Sequence, residues 1–314
     1  MKEQDKFDPN TVNRYSIHDR KHLVDREDFC SLDCDAEAVD EFIDTLPDIL
    51  AARELRAVVE AIITARRAGR MVHMAMGAHV VKVGLAPVVN DLVTRGILTG
   101  LSFNGAAVVH DLELALIGKT SEDVANALGD GSFGFCEDTA QHYHRAARNA
   151  AESRKGLGYE VGKLVEEGGL PYRSDSIFGA AYRAGALATV HCAFGTDIVH
   201  MHPEMDAEAL ARATHDDFLK LAHALRSLDG GVYINAGSAV ILPEVFLKAL
   251  SMARNVGDGR GEFTAVNLDM IRHYRPSENV LRRPGGRAIN ITGHHEIMLP
   301  LIRASLVAKM EKAR

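Results

Sequence analysis

Six times along this chain a short apolar run stops at a turn built from small or polar residues, and in most cases a helical pattern follows. Met71–Met76 stops at Gly77-Ala78-His79, and Ile97–Phe103 at Asn104-Gly105-Ala106-Ala107. Ala186–Cys192 runs into Ala193-Phe194-Gly195-Thr196-Asp197, and Val232–Asn235 into Ala236-Gly237-Ser238. Phe263–Leu268 ends near Asp269, and Ala288–Ile291 ends in Thr292-Gly293-His294-His295-Glu296. Strands that alternate with helices cannot pair as hairpins, so they line up in parallel. The fold class that follows is α/β: a doubly wound, mostly parallel sheet of about six strands with helices on both faces. All strand C-termini then share one edge, where ligands bind in such sheets. The glycine and polar residues gather at those ends, which points to a nucleotide-sized pocket.

The rest of the chain is read around that frame. Apolar residues from Ala36 to Arg67 recur at helical spacing and predict two helices broken near Pro47. Residues 1–35 are polar and charged without a clear period, and read as an N-terminal extension that wraps a neighbour or is partly disordered. Residues 36–314 read as a single domain. In the less regular stretch 120–175, a helix from about Glu137 to Arg154 carries His142, His144 and Arg145, expected on a solvated face. A formal charge of −7 disfavours nucleic acid as a partner. The chain lacks a run of eighteen apolar residues and an apolar leader after Met1, so the expectation is a cytoplasmic protein with no membrane span. Four cysteines do not form a disulfide scaffold in a chain this long, and Cys30 and Cys34 make at most half a zinc site.

Small residues at strand ends let backbone approach a phosphate or ribose closely. Gly77, Gly105, Gly195, Gly237 and Gly293 would serve, but none lies in a GxGxxG fingerprint, which disfavours a standard Rossmann dehydrogenase. Carboxylates beside such turns can accept two hydrogen bonds from a ribose. Asp197 and Asp269 are candidates for that role, as is Asp111, which could equally serve a helix dipole. Histidines form a second theme: His191, His200 and His202 surround one strand end, and His294-His295-Glu296 another. They could hold a transition metal, run acid–base chemistry or be structural.

At this point the residues resemble the deoxyhypusine synthases. The segment from Gly77 to Asp111 is similar to a stretch of that family with a Gly-Asn-Leu-type turn, a helix, a strand and a Thr-Ala-Gly-Gly turn. Residues Ile177–Asp197 resemble its tyrosine-rich helix, strand and Pro-Ala-Phe-Thr-Asp-Gly region. Ala236-Gly237-Ser238-Ala239-Val240 stands where the family has Gly-Gly-Gly-Val-Val, Arg275-Pro276-Ser277-Glu278 resembles its Arg-Pro-Asp-Glu, and Leu299-Pro300-Leu301 its closing Phe-Pro-Leu. The resemblance covers roughly residues 70–308 in order. It implies a homotetrameric, NAD-binding fold with sites completed by a neighbouring subunit. The cofactor positions it implies are Gly77, Ala78 and His79; Asn104, Gly105, Ala106 and Asp111; Thr196 and Asp197; Gly237, Ser238 and Asp269.

The departures bear on the reaction. The family follows Arg-Pro-Asp-Glu with a tryptophan and then the lysine that forms an imine with its polyamine substrate. Here Glu278 is followed by Asn279-Val280-Leu281-Arg282-Arg283-Pro284, no lysine occurs between Lys248 and Lys309, and the chain has no tryptophan. An always-protonated arginine is no amine nucleophile. Acidic residues after the second turn give way to His110-Asp111, and the final Asp-Ala-Ser to His294-His295-Glu296. The catalytic candidates are therefore His110, Glu278, His294, His295 and Glu296. The expected function is an NAD-dependent enzyme, a transferase or oxidoreductase, acting on a small amine or polyamine-like metabolite without making deoxyhypusine. The alternatives are a metal-dependent enzyme built on His191, His200, His202, His294 and His295, or a non-catalytic NAD-binding oligomer.

Overall fold

The computed structural model describes residues 7–312. From the N-terminus, β1 (His22–Asp25) leads into α1 (Ala36–Thr45) and α2 (Leu50–Arg67), then β2 (Val72–Met76), α3 (Ala78–Lys82) and α4 (Ala86–Thr94). Next come β3 (Gly100–Asn104), α5 (Gly105–Ile117), β4 (Lys119–Glu122), α6 (Val124–Asp130), α7 (Glu137–Ser153), α8 (Leu157–Glu167) and α9 (Ile177–Ala184). The chain closes with β5 (Leu187–His191), α10 (Ala207–Ala224), β6 (Val232–Ala236), α11 (Ile241–Asn255), β7 (Thr264–Asp269), a π-helical turn Pro276–Arg282, β8 (Arg287–Thr292) and α12 (His295–Glu311).

The six expected strands are all present and all parallel, in the order β5-β3-β2-β6-β7-β8. Chain order reverses between β2 and β6, the arrangement of the dinucleotide-binding doubly wound fold, whose ligand crevice opens at that reversal. β2 (VHMAM) is buried along its whole length because helices cover both faces of a parallel sheet. Its alternate side chains feed two cores: Val72, Met74 and Met76 join the large one with α2, α4, α5 and α12. Ala75, Tyr233 and Ala265 face a smaller one against Leu221, Phe246 and Val280.

The helix after β3 starts at Gly105 because Asn104 caps it by accepting a hydrogen bond from the Ala107 amide at 3.1 Å. Residues 7–35 lie against the body of the molecule: β1 pairs antiparallel with β4, Ile17 is fully buried, and Arg20 reaches Glu113 at 2.6 Å. Residues 1–6 of the expected extension lie outside the described residues. The helix 137–153 is only partly the solvated face expected of it. His144 is fully buried and its Nε2 lies 2.8 Å from the Val199 carbonyl, because α7 packs against α5, α8 and α10.

Candidate functional site

At the sheet reversal the turns after β2 and β6 touch. The Gly77 amide donates to the Ala236 carbonyl and the Gly237 amide to the Leu268 carbonyl, each at 3.0 Å. A Cβ on Gly77 would stand 2.4 Å from the Gly237 oxygen, and Gly237 itself has φ +66°, so any side chain at the first position would force the two turns apart. Ala78 and His79 open α3 beside them, and buried Asp269 and Ser238 complete this rim.

His295, the first residue of α12, is buried behind the Gly237 turn, its Nε2 3.1 Å from the Leu268 carbonyl. A carbonyl only accepts, so Nε2 carries the proton and Nδ1 is left bare; that nitrogen is buried without a partner. The His79 ring meets His295 edge-on at 5.7 Å, and burial, helped by that neighbour, holds the His79 imidazole below its ordinary pKa. His79 and His295 are thus brought together with the glycine turns at one crevice.

Beneath the same rim runs a feature the strand reading missed. Asn235 donates to the Ser238 carbonyl at 3.0 Å and to Asn267 Oδ1 at 2.9 Å, and Asn267 donates to Asn290 Oδ1 at 2.9 Å. The three stand at one register position on β6, β7 and β8. The signal was in the sequence: Asn-Ala-Gly, Asn-Leu-Asp and Asn-Ile-Thr each place an asparagine two residues before a strand-end turn.

A second space opens beside α5, a cavity of about 240 Å³ whose wall includes Ala106, Val109, His110 and Glu113 at helical spacing, facing Lys82 and Asp197. Arg20, from the N-terminal segment, helps close it. The polar groups here fix one another. Thr120 Oγ1 donates to Glu113 Oε2 at 2.6 Å, since a carboxylate can only accept. That commits the hydroxyl proton, so His110 Nδ1, 2.8 Å from the same oxygen, must be the donor. His110 Nε2 is therefore the bare nitrogen. Burial pushes the His110 pKa down to about 4, outweighing Glu113 and aided by Lys82 and Arg20, so the ring is neutral at physiological pH.

Glu113 also accepts from Thr139 and from Arg20, and Arg20 reaches Glu122 at 3.3 Å as well. Those charges are committed. Asp197 is different: 8% exposed, it packs so tightly on the start of α5 that a Cβ on Gly105 would lie 2.0 Å from its Oδ2. That oxygen has no hydrogen-bond partner among the described residues, and burial raises the carboxyl pKa to about 6. His200 holds the loop from behind. Its Nδ1 accepts from the Gly195 and Asp197 amides at 3.1 and 3.3 Å, and its Nε2 stands 3.9 Å from Asp197 Oδ2. Thr196 lines the cavity beside Asp197.

Other expected site residues are placed elsewhere. Asp111 is fully buried and accepts from the Ser176 hydroxyl and, at 2.7 Å, from the Ile177 amide. It anchors the start of α9, since α5 turns it inward to the core rather than toward the strand edge. Glu278 is taken up by Arg282 and Arg283 on the π-helical turn. His294 and Glu296 are exposed and face each other at 3.6 Å.

The histidine cluster of the metal-dependent alternative does not assemble. β5 and β8 are opposite edges of the sheet, so His191 and the His294-His295 pair are separated by five strand spacings, about 24 Å. Within the first group, His191 bonds Thr189 in the sheet and His202 bonds the Gly134 carbonyl, while His200 faces Asp197. No group of three His, Cys, Asp or Glu side chains among the described residues could hold a metal. Cys30 and Cys34 are free thiols. Among the described residues no helix is long and apolar enough to cross a membrane.

No protein-family profile matches this chain, and no curated protein sequence matches it. Solved structures do. A protein assigned as a deoxyhypusine synthase from Entamoeba histolytica superposes with a TM-score of 0.53 at 12% identity, over 95% of this chain and 97% of its own. The ternary complex of AgrE with ornithine and NAD+ gives 0.52 at 13% identity over 91% of this chain, and a cysteine-to-alanine mutant of AgrE with L-arginine gives 0.54 at 13% over 90%. The chain spans about a third of the length of the AgrE chains, 35% and 34%. At these identities the likeness is one of fold: the resemblance carried by the motifs extends to the whole architecture.

Proposed function

From a fold shared with a deoxyhypusine synthase-like protein and with AgrE, we propose that this chain is an NAD-dependent enzyme acting on a small amine. The observation that carries the reading is the Glu113–Thr120–His110 relay, which leaves a neutral, bare imidazole nitrogen on a residue lining the half-open cavity beside the sheet-reversal crevice. The crevice suits the cofactor in kind. Gly77 and Gly237 let the β2 and β6 turns close on each other at the sheet reversal, the place where such folds bind their ligand, and His295 packs behind them with its Nδ1 unpartnered. Gly77, Ala78, His79, Asn104, Gly105, Ala106, Gly237, Ser238 and Asp269 would hold NAD, with Thr196 and Asp197 at the junction of crevice and cavity. NAD, when bound, would supply a hydride acceptor.

The remaining roles belong to the protein's own side chains. Asp197, ionised above about pH 6, attracts the substrate ammonium and orients it. His110 Nε2 takes the proton that the amine must lose before its carbon can be oxidised, and the Thr120–Glu113 pair stabilises the resulting imidazolium. Arg20 and the N-terminal segment exclude water from the cavity.

Exposed Phe194, Val240, Met270, Ile271, Tyr274 and Ile297 all follow C-terminal strand ends, so the cofactor edge is ringed by uncovered apolar surface. This supports a homo-oligomer, a tetramer by the family resemblance, in which a second copy covers the site.

The test is NAD reduction across a panel of small amines, wild type against His110→Gln. The reading expects turnover with at least one amine and a loss of roughly 100-fold or more in the variant. Stoichiometric NAD binding with no turnover of any amine would favour the non-catalytic alternative.

A further inference from the structure

We infer that the substrate of the α5 cavity carries a carboxylate as well as an amine, so that the site is built for a small amino acid rather than a polyamine. The inference rests on the reading of the cavity as the substrate site and goes beyond it by naming the class. Its basis is the distribution of uncommitted charge on the cavity wall. Of the three lining carboxylates, Glu113 and Glu122 are held by Arg20, and Glu122 also accepts from the Gly134 amide at 3.0 Å. Asp197 alone keeps an unpartnered oxygen, buried beside Gly105 at the edge of the cavity.

Of the two lining cations, Arg20 is consumed by that pair of glutamates, and Lys82 is left. Lysine ion pairs in the described residues involve Lys119, Lys163, Lys248, Lys309 and Lys312, and Lys82 joins none of them. It is the last residue of α3, the helix that begins at the Gly77 turn, and its charge is felt by both His79 and His110. Lys82 thus lines the cavity from the helix that starts at the crevice.

A cavity with one free carboxylate and one free ammonium is complementary to a ligand with the opposite pair. The ligand ammonium would lie by Asp197 and His110, and its carboxylate would pair with Lys82. A polyamine meets this wall badly, because its second ammonium would face the like charge of Lys82.

The experiment titrates matched pairs of probes into NAD-loaded protein: α-amino acids and ω-amino acids of increasing chain length, each against the amine that lacks its carboxylate, with 1,4-diaminobutane included. Binding is read by calorimetry in wild type, Lys82→Gln and Lys82→Arg. The expected result is at least one pair in which the acid binds tenfold or more tightly than its amine, consistent with a charge-assisted contact. That preference should vanish in Lys82→Gln and return in part in Lys82→Arg. Amines that bind as tightly as their acids, or a preference untouched by Lys82→Gln, would overturn the inference while leaving the amine site standing. Binding of neither series would overturn both.

Discussion

Replacing Asp197 by asparagine keeps the shape of the side chain and removes a charge that the fold holds at a cost. The carboxyl has an ordinary pKa of 3.8 when the chain is unfolded and about 6 when buried against Gly105. A raised folded value means the native state binds the proton more tightly than the unfolded state. The stability this group contributes is therefore full below pH 3.8, declines as pH rises toward about 6, and is gone above it. At about 1.4 kcal/mol per pKa unit, the ionised carboxylate burdens the native state at pH 8 by on the order of 3 kcal/mol. Asp197→Asn should accordingly raise the melting temperature at pH 8 by roughly 5 °C. About a third of that gain should survive at pH 4.5, and almost none below pH 3.8. The same variant should weaken ammonium-ligand binding by at least about tenfold, because the counter-charge is lost. Differential scanning fluorimetry across the pH series, with ligand calorimetry at pH 8, measures both. A destabilised variant at pH 8, or a stabilisation independent of pH, would refute the account of Asp197 as a strained carboxylate kept for binding.

Other outcomes follow from the same placements. Incubation with spermidine, NAD and the lysine-bearing translation factor, followed by borohydride trapping and mass spectrometry, should show no modified factor and no adduct on Lys82 or Lys248. Lys248 is already paired with Glu244 on α11. Sedimentation at micromolar concentration should show an oligomer, and a Tyr274→Glu substitution on the exposed rim should shift it toward monomer. A wild-type monomer would count against a second copy covering the cofactor edge.

The strands were legible because parallel strands buried on both faces are short apolar runs, and each ended at a turn that the chain marks with glycine or a polar residue. β2, expected over Met71–Met76, spans Val72–Met76, and β7, expected over Phe263–Leu268, spans Thr264–Asp269. Order within the sheet could not be read from the runs themselves, since register between strands distant in sequence leaves no local mark. Among the candidate site residues, Gly77 and Gly237 were picked out through backbone chemistry, which is local. The His110 relay was half visible: His110 and Glu113 share a helix face three residues apart, but Thr120 arrives from β4 only on folding. Of the two roles open to Asp111, the one at a helix start fits, although the helix is α9: neighbours on a helix point about 100° apart, so His110 faces the cavity and Asp111 the α9 start. Histidine clusters near strand ends looked convergent in sequence, yet the sheet places β5 and β8 at opposite edges. Arg20 lay in a stretch without periodicity, and nothing local announced that it closes a cavity lined by Lys82 and the distant helix α5.

The central claim is a dinucleotide site at the meeting of the β2 and β6 turns, and calorimetric titration of the purified wild-type chain with NAD tests it most directly. The account predicts saturable binding well below millimolar NAD, one molecule per chain. In Gly77→Val that binding should disappear, because a side chain there would run into the Gly237 carbonyl, 2.4 Å from the first added carbon. Absence of binding by the wild type at millimolar NAD, or undiminished affinity in a folded Gly77→Val variant, would contradict it.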